Sequence, residues 1–142
     1  MEYSWVPDMD RSADWLHQAE RDLRVAETDA AAGYHEWAAF AAQQSAEKAV
    51  QALVQSLHGA ARGHAIAEVL RRLPESVQVP AAGLEAALAL DRVYVTPRYP
   101  NAFPSGSPGD YFNENSSQEL ISHARRPAAG GGRGQGCPPG DC

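Results

Sequence analysis

The chain has 142 residues and a mass of 15.2 kDa, the length of one domain with short tails and enough to bury a core unaided. Hydrophobic residues at 44% and charged residues at 21% exclude a disordered polymer, and apolar runs of only a few residues exclude a membrane span. Twelve basic against eighteen acidic side chains, a net charge of −6, exclude a surface that attracts nucleic acid as a whole. The opening MEYSWVPDMD lacks a basic n-region and an apolar h-region, so a cytoplasmic protein is expected.

Residues 1–11 read as an N-terminal arm. The first helix is expected from about Ser12 to Ala32, because Trp15, Leu16, Ala19, Leu23, Ala26 and Ala30 recur at spacings of three and four. Ser12 suits its N-cap, and Gly33 suits its end. A second helix follows from about His35 to Leu57, with Trp37, Phe40, Ala41, Ala46, Ala49, Val50, Leu53 and Val54 directed inward and Gly59 as its stop. Ile66, Val69, Leu70 and Leu73 define a short third helix closed by Pro74, since the residue before a proline resists the helical region. Leu84, Ala87, Leu88, Leu90, Asp91 and Tyr94 mark a fourth.

The segment from Thr96 to Asp110 is rich in Pro, Asn, Ser and Gly and reads as an ordered, irregular loop. Ser116 with Glu119 has the spacing of a capping box, opening a last helix through Leu120, Ile121 and Ala124. From Pro127 the composition turns to Gly, Pro and small polar residues, so the last helix is expected to break there. Residues 127–142 are expected to form a flexible tail that cannot bury enough surface to offset its ordering entropy. Cys137 and Cys142 both fall in that tail, so neither a disulfide framework nor a Cys-based zinc site holds the domain. The expected fold is all-α, an antiparallel up-and-down bundle of four to five helices over residues 12–126.

The sequence carries no phosphate loop, no G-x-S-x-G elbow and no H-E-x-x-H pair, so no cofactor or metal is expected. Two segments stand out. On the second helix, Gln43, Gln44, Glu47 and Lys48 form two polar stripes at one-turn spacing. Taken alone, such stripes are most simply a solvated helix face. Lys48 is the lone lysine among eleven arginines. After the fourth helix comes Asp91-Arg92-Val93-Tyr94-Val95-Thr96-Pro97-Arg98-Tyr99-Pro100, where two prolines flank an arginine. In a structural role Arg98 would pair with a carboxylate and Tyr99 would pack. In a functional role Arg98 would receive a phosphate or a partner carboxylate, for which its planar fork is suited.

In order along the chain, ERDLRVAE, GYHEWAAFAAQQSAEKAVQALV, GHAIAEVLRRL, ALALDRVYVTPRYPNAF and YFNENSSQELISHA resemble a prokaryotic HEPN domain. The likeness covers about residues 12–125 and rests on a Q-Q-x-x-E-K helix, a following His-x-hydrophobic segment and an R-Y-P. It implies a helical bundle that forms a homodimer and works beside a minimal nucleotidyltransferase in toxin–antitoxin pairs.

The resemblance also implies that many relatives are metal-independent ribonucleases with an R-x(4–6)-H motif. Arg98 matches the Arg of that motif, but Phe103, Pro104 and Ser105 stand where the His belongs. Arg11 and His17 have the spacing formally, at the start of the first helix, away from the family's site. The expectation is therefore a non-catalytic module binding a nucleotide, RNA or partner protein through Arg98, Tyr99, Asp91, Arg92, Lys48, Glu47 and Gln44. RNA binding on so acidic a chain would need a local basic pocket of Lys48, Arg92 and Arg98. A ribonuclease toxin is the alternative if His64 or His123 folds in beside Arg98, and a structural dimerisation subunit is the third reading.

Overall fold

A computed structural model describes residues 10–59 and 63–132, with side chains as far as Arg125. Residues 1–9 of the expected arm and 133–142 of the expected tail lie outside the described residues. Among the described residues the fold is helical throughout: α1 Ser12–Ala31, α2 His35–Ser56, α3 Ile66–Arg71, α4 Ala81–Asp91 and α5 Glu114–Gly132. Between α4 and α5, three turns of 3-10 helix at Thr96–Arg98, Pro100–Ala102 and Pro108–Asp110 give the proline-rich loop its order.

α1 and α2 form an antiparallel hairpin: Arg11, ahead of α1, donates its backbone N–H to Gln55 near the end of α2. The turn follows from the backbone at Gly33, whose φ of 92° lies in the left-handed region. There Gly33 N–H donates to Ala30 and Tyr34 N–H to Asp29, closing α1 in a Schellman arrangement. Small residues face one another along the seam, Ala19, Ala26 and Ala30 on α1 and Ala38, Ala42 and Ala46 on α2, all buried. Their short side chains let the two backbones approach closely. Ser45, 1% exposed, uses that closeness to donate its hydroxyl to Ala19 O at 2.7 Å.

α2 is the central element, packing on α1, α5, α3, α4 and the loop after α4. Ile66, Leu90, Leu120 and Ile121 close the core from the other helices. Each such side chain contributes about 1.5–3 kcal/mol when fully buried.

The helix ends differ from expectation in several places. Ser12 lies inside α1, and the residue ahead of it, Arg11, makes no side-chain cap. The cap of α5 sits three residues earlier than Ser116: Asn113 Oδ1 accepts the Ser116 N–H at 2.9 Å, and Ser116 Oγ accepts the Asn113 N–H at 2.8 Å. An Asn–Ser pair thus does the reciprocal work expected of Ser116 and Glu119. α2 is closed by His58 rather than Gly59, for His58 takes the left-handed φ of 63° while Gly59 N–H reaches back to Val54 O. α5 also runs past Pro127 to Gly132, since a proline in a helix forfeits one backbone bond without preventing further turns.

Candidate functional site

The site is built where the end of α4 meets the middle of α2 and the segment before α3. Pro97, buried among the helices, anchors the first 3-10 turn and sets Arg98 beside the bundle. Arg98 Nε donates to Tyr94 O at 3.0 Å. Its guanidinium carbon stands 4.5 Å from the Phe40 ring centroid, 4.8 Å from Tyr94 and 5.3 Å from Tyr99, all within cation–π range. Among the described residues no carboxylate pairs with Arg98, and its two Nη groups have no acceptor. The structural role expected for it, an ion pair, is therefore not the one it has, and Tyr99 is 48% exposed rather than packed.

The aromatic surface extends on both sides of Arg98. Trp37 stands edge-on to Phe40 with ring centroids 6.4 Å apart and is 45% exposed, a correction to its expected inward direction. Trp37 lies on α2 one turn before Phe40, so it forms the rim of the aromatic group instead of its floor. On the other side, the His64 ring lies on Tyr94 at 4.2 Å with an interplanar angle of 18°. Arg98 and His64 thus share one ring.

His64 is held in turn. Its Nδ1 lies 2.9 Å from Glu47 Oε2, and the other Glu47 oxygen accepts from Gln43 Nε2 at 3.1 Å. Gln43 Oε1 accepts from Gln44 Nε2 at 2.8 Å, and Gln44 Oε1 accepts from Lys48 Nζ at 3.3 Å. Lys48 also donates to Asp22 Oδ2 on α1 at 2.7 Å. The stripes on α2 are therefore not a solvated face. Gln43 is wholly buried, and α1 and the segment before α3 supply partners that the pattern of one helix does not reveal.

The remaining candidates are dispersed. Asp91 accepts the backbone N–H groups of Ile66 at 2.7 Å and Ala67 at 3.1 Å, so its carboxylate closes the start of α3. Arg92 is exposed at the end of α4. A basic pocket that includes Lys48 with Arg92 and Arg98 does not form, because the Lys48 charge is taken by Asp22. His123 lies on α5 with Nε2 3.6 Å from Glu119 and a buried Nδ1 without a hydrogen-bond partner. Among the described residues no ring contact or hydrogen bond joins it to Arg98. No group of three or more metal-ligating side chains occurs among the described residues, and no helix there is long and apolar enough to cross a membrane.

Phe40, Tyr94 and Gln43 belong to this site and were not candidates from sequence. Tyr94 and Phe40 read as ordinary members of apolar stripes, and only their nearness to Arg98 distinguishes them.

Fold and site together define a small helical-bundle domain with an arginine on an aromatic platform. The sequence matches the HEPN domain family over residues 12–126, and the chain belongs to that family. Its structure is similar to that of TT1696 from Thermus thermophilus, at 39% identity and a TM-score of 0.82 over 84% of this chain and 94% of the other. It is also similar to ST0689, an archaeal HEPN homologue, at 40% identity and a TM-score of 0.71, covering 84% and 93%. An HEPN domain protein of Thermotoga maritima, tm0613, follows at 30% identity and a TM-score of 0.66, covering 81% and 91%. Comparison with curated proteins gives no match.

Proposed function

We propose that this HEPN domain is a non-catalytic binding module for single-stranded RNA or a nucleotide. The observation that carries the reading is the state of Arg98: its guanidinium lies among three rings and, among the described residues, meets no carboxylate. An arginine held by one backbone bond keeps its paired Nη groups free for a phosphate. Exposed Tyr99 beside it, and exposed Trp37 on the far side of Phe40, offer faces on which bases stack, each stack worth roughly 1–3 kcal/mol. With the chain acidic overall and Lys48 paired with Asp22, the charge attraction rests on Arg98 and stacking carries the rest, so salt dependence should correspond to only one or two phosphates.

In cells the module would act as a homodimer with a nucleotidyltransferase, partners that the family resemblance supplies. Light scattering should give twice the chain mass, and co-purification should recover the nucleotidyltransferase.

The test is fluorescence anisotropy with a labelled octauridine and with AMP. Binding should fall at least about tenfold in Arg98→Ala, the equivalent of one charge-assisted contact, while the melting temperature stays close to that of the parent. Equal binding by parent and variant would reject the reading.

A second reading is a metal-independent ribonuclease, favoured by one observation: His64 and Arg98 lie on the same Tyr94 ring. His64 would then transfer the proton and Arg98 would hold the scissile phosphate. RNA cleavage in EDTA, abolished by His64→Ala, would select this reading over the first.

A further inference from the structure

We infer that Gln43 and Glu47 are positioning residues of the binding platform, acting through His64 and not by touching the ligand; the inference rests on the binding role proposed above. Neither residue has a free hand for a ligand. Gln43 is 0% exposed, with its carbonyl engaged by Gln44 and its amino group by Glu47. Glu47 has one oxygen on Gln43 and the other on His64.

The chain of bonds has a direction. Lys48 can only donate, so Gln44 must turn its carbonyl toward it and its amino group toward Gln43. Gln43 must then accept from Gln44 and donate onward. A flip of the buried Gln43 amide would set amino group against amino group and carbonyl against carboxylate, with no water to relieve either clash. The Glu47 carboxylate therefore has one orientation. A carboxylate only accepts, so its second oxygen places an imidazole proton on Nδ1, and in the neutral ring the lone pair is then on Nε2.

This matters because His64 is not held by burial. Its side chain is 52% exposed, and it precedes α3 on a connecting segment. Without Glu47 the ring would turn among rotamers, and ordering it again would weaken any ligand that rests against it. Held by Glu47, it stays parallel to Tyr94 and continues the stacking surface beyond Arg98.

Two measurements on the full chain test the inference. Nitrogen-15 NMR should find the His64 proton on Nδ1 in the parent. Gln43→Met and Glu47→Ala should both shift it toward Nε2. Octauridine affinity should fall about tenfold in each variant, the scale of one lost buried hydrogen bond, and Gln43→Met should have no further effect in a His64→Ala background. An unchanged tautomer, or losses that add in the double variant, would overturn the inference. If the parent binds no octauridine or AMP, the platform reading fails, while the tautomer still decides whether these residues hold His64. If Gln43→Met does not fold, the half-buried Glu47→Ala carries both readouts.

Discussion

The seam between α1 and α2 and the platform around Arg98 both place a cation against the bundle, in opposite ways. At the seam, Lys48 is matched by the Asp22 carboxylate and the Gln44 carbonyl, at side-chain exposures of 24% and 16% for the ion pair. At the platform, Arg98 has one backbone acceptor and three rings. A cation whose donors go to acceptors of the bundle, one of them on the neighbouring helix, holds helices together. One set over rings keeps its donors for something outside the chain. The difference also separates two residue types: a lysine suits a point contact with a carboxylate, and a guanidinium can stack while its edge stays free.

Substitutions can break this contrast. The largest loss of stability should come from Asp22→Ala, which leaves Lys48 half-buried and without its counter-charge, at a cost of about 2–3 kcal/mol in urea denaturation. Replacing both partners, as Asp22→Leu with Lys48→Met, should recover much of that loss, because an apolar pair leaves no stranded charge. Next is Asp91→Ala, which strips two backbone N–H groups of α3 of their acceptor and should cost about 1–2 kcal/mol by the same measurement. Arg98→Ala should cost less than about 1 kcal/mol, the scale of an exposed cation–π contact. A loss as large as that of Asp22→Ala would erase the distinction between seam and platform. One change has the opposite sign. His58→Gly should raise stability by about 1 kcal/mol, since a glycine adopts the left-handed backbone at φ 63° without the clash that His58 bears.

The bundle was legible in the sequence because helical periodicity is a property of each segment alone. The stripe of Ala19, Leu23, Ala26 and Ala30 needs no partner to be recognised, and Gly33 marks its turn by its own backbone freedom. Arg98 could also be singled out, by its place between two prolines. Its surroundings could not. Phe40 comes from α2, Tyr94 from beyond α4 and His64 from the segment before α3, and no spacing rule joins them. Gln43 shows the limit most plainly: a polar residue on a helix reads as exposed unless the groups that satisfy it are known. Here those groups belong to Gln44 and Glu47, which are in turn held by Lys48 and by His64. The cap of α5 was misplaced for a smaller reason, that Asn113 and Ser116 share the donor–acceptor logic of the expected pair at a different register.

The single lysine has a practical consequence. An amine-acylating reagent has only one side-chain target in this chain, Lys48, and that amine is clasped between two helices by Asp22 and Gln44. Acylation can proceed only when the clasp opens. The rate of labelling at that one position is therefore a clock for the opening of the Lys48–Asp22 contact that bridges α1 and α2, readable by mass spectrometry without altering a single residue.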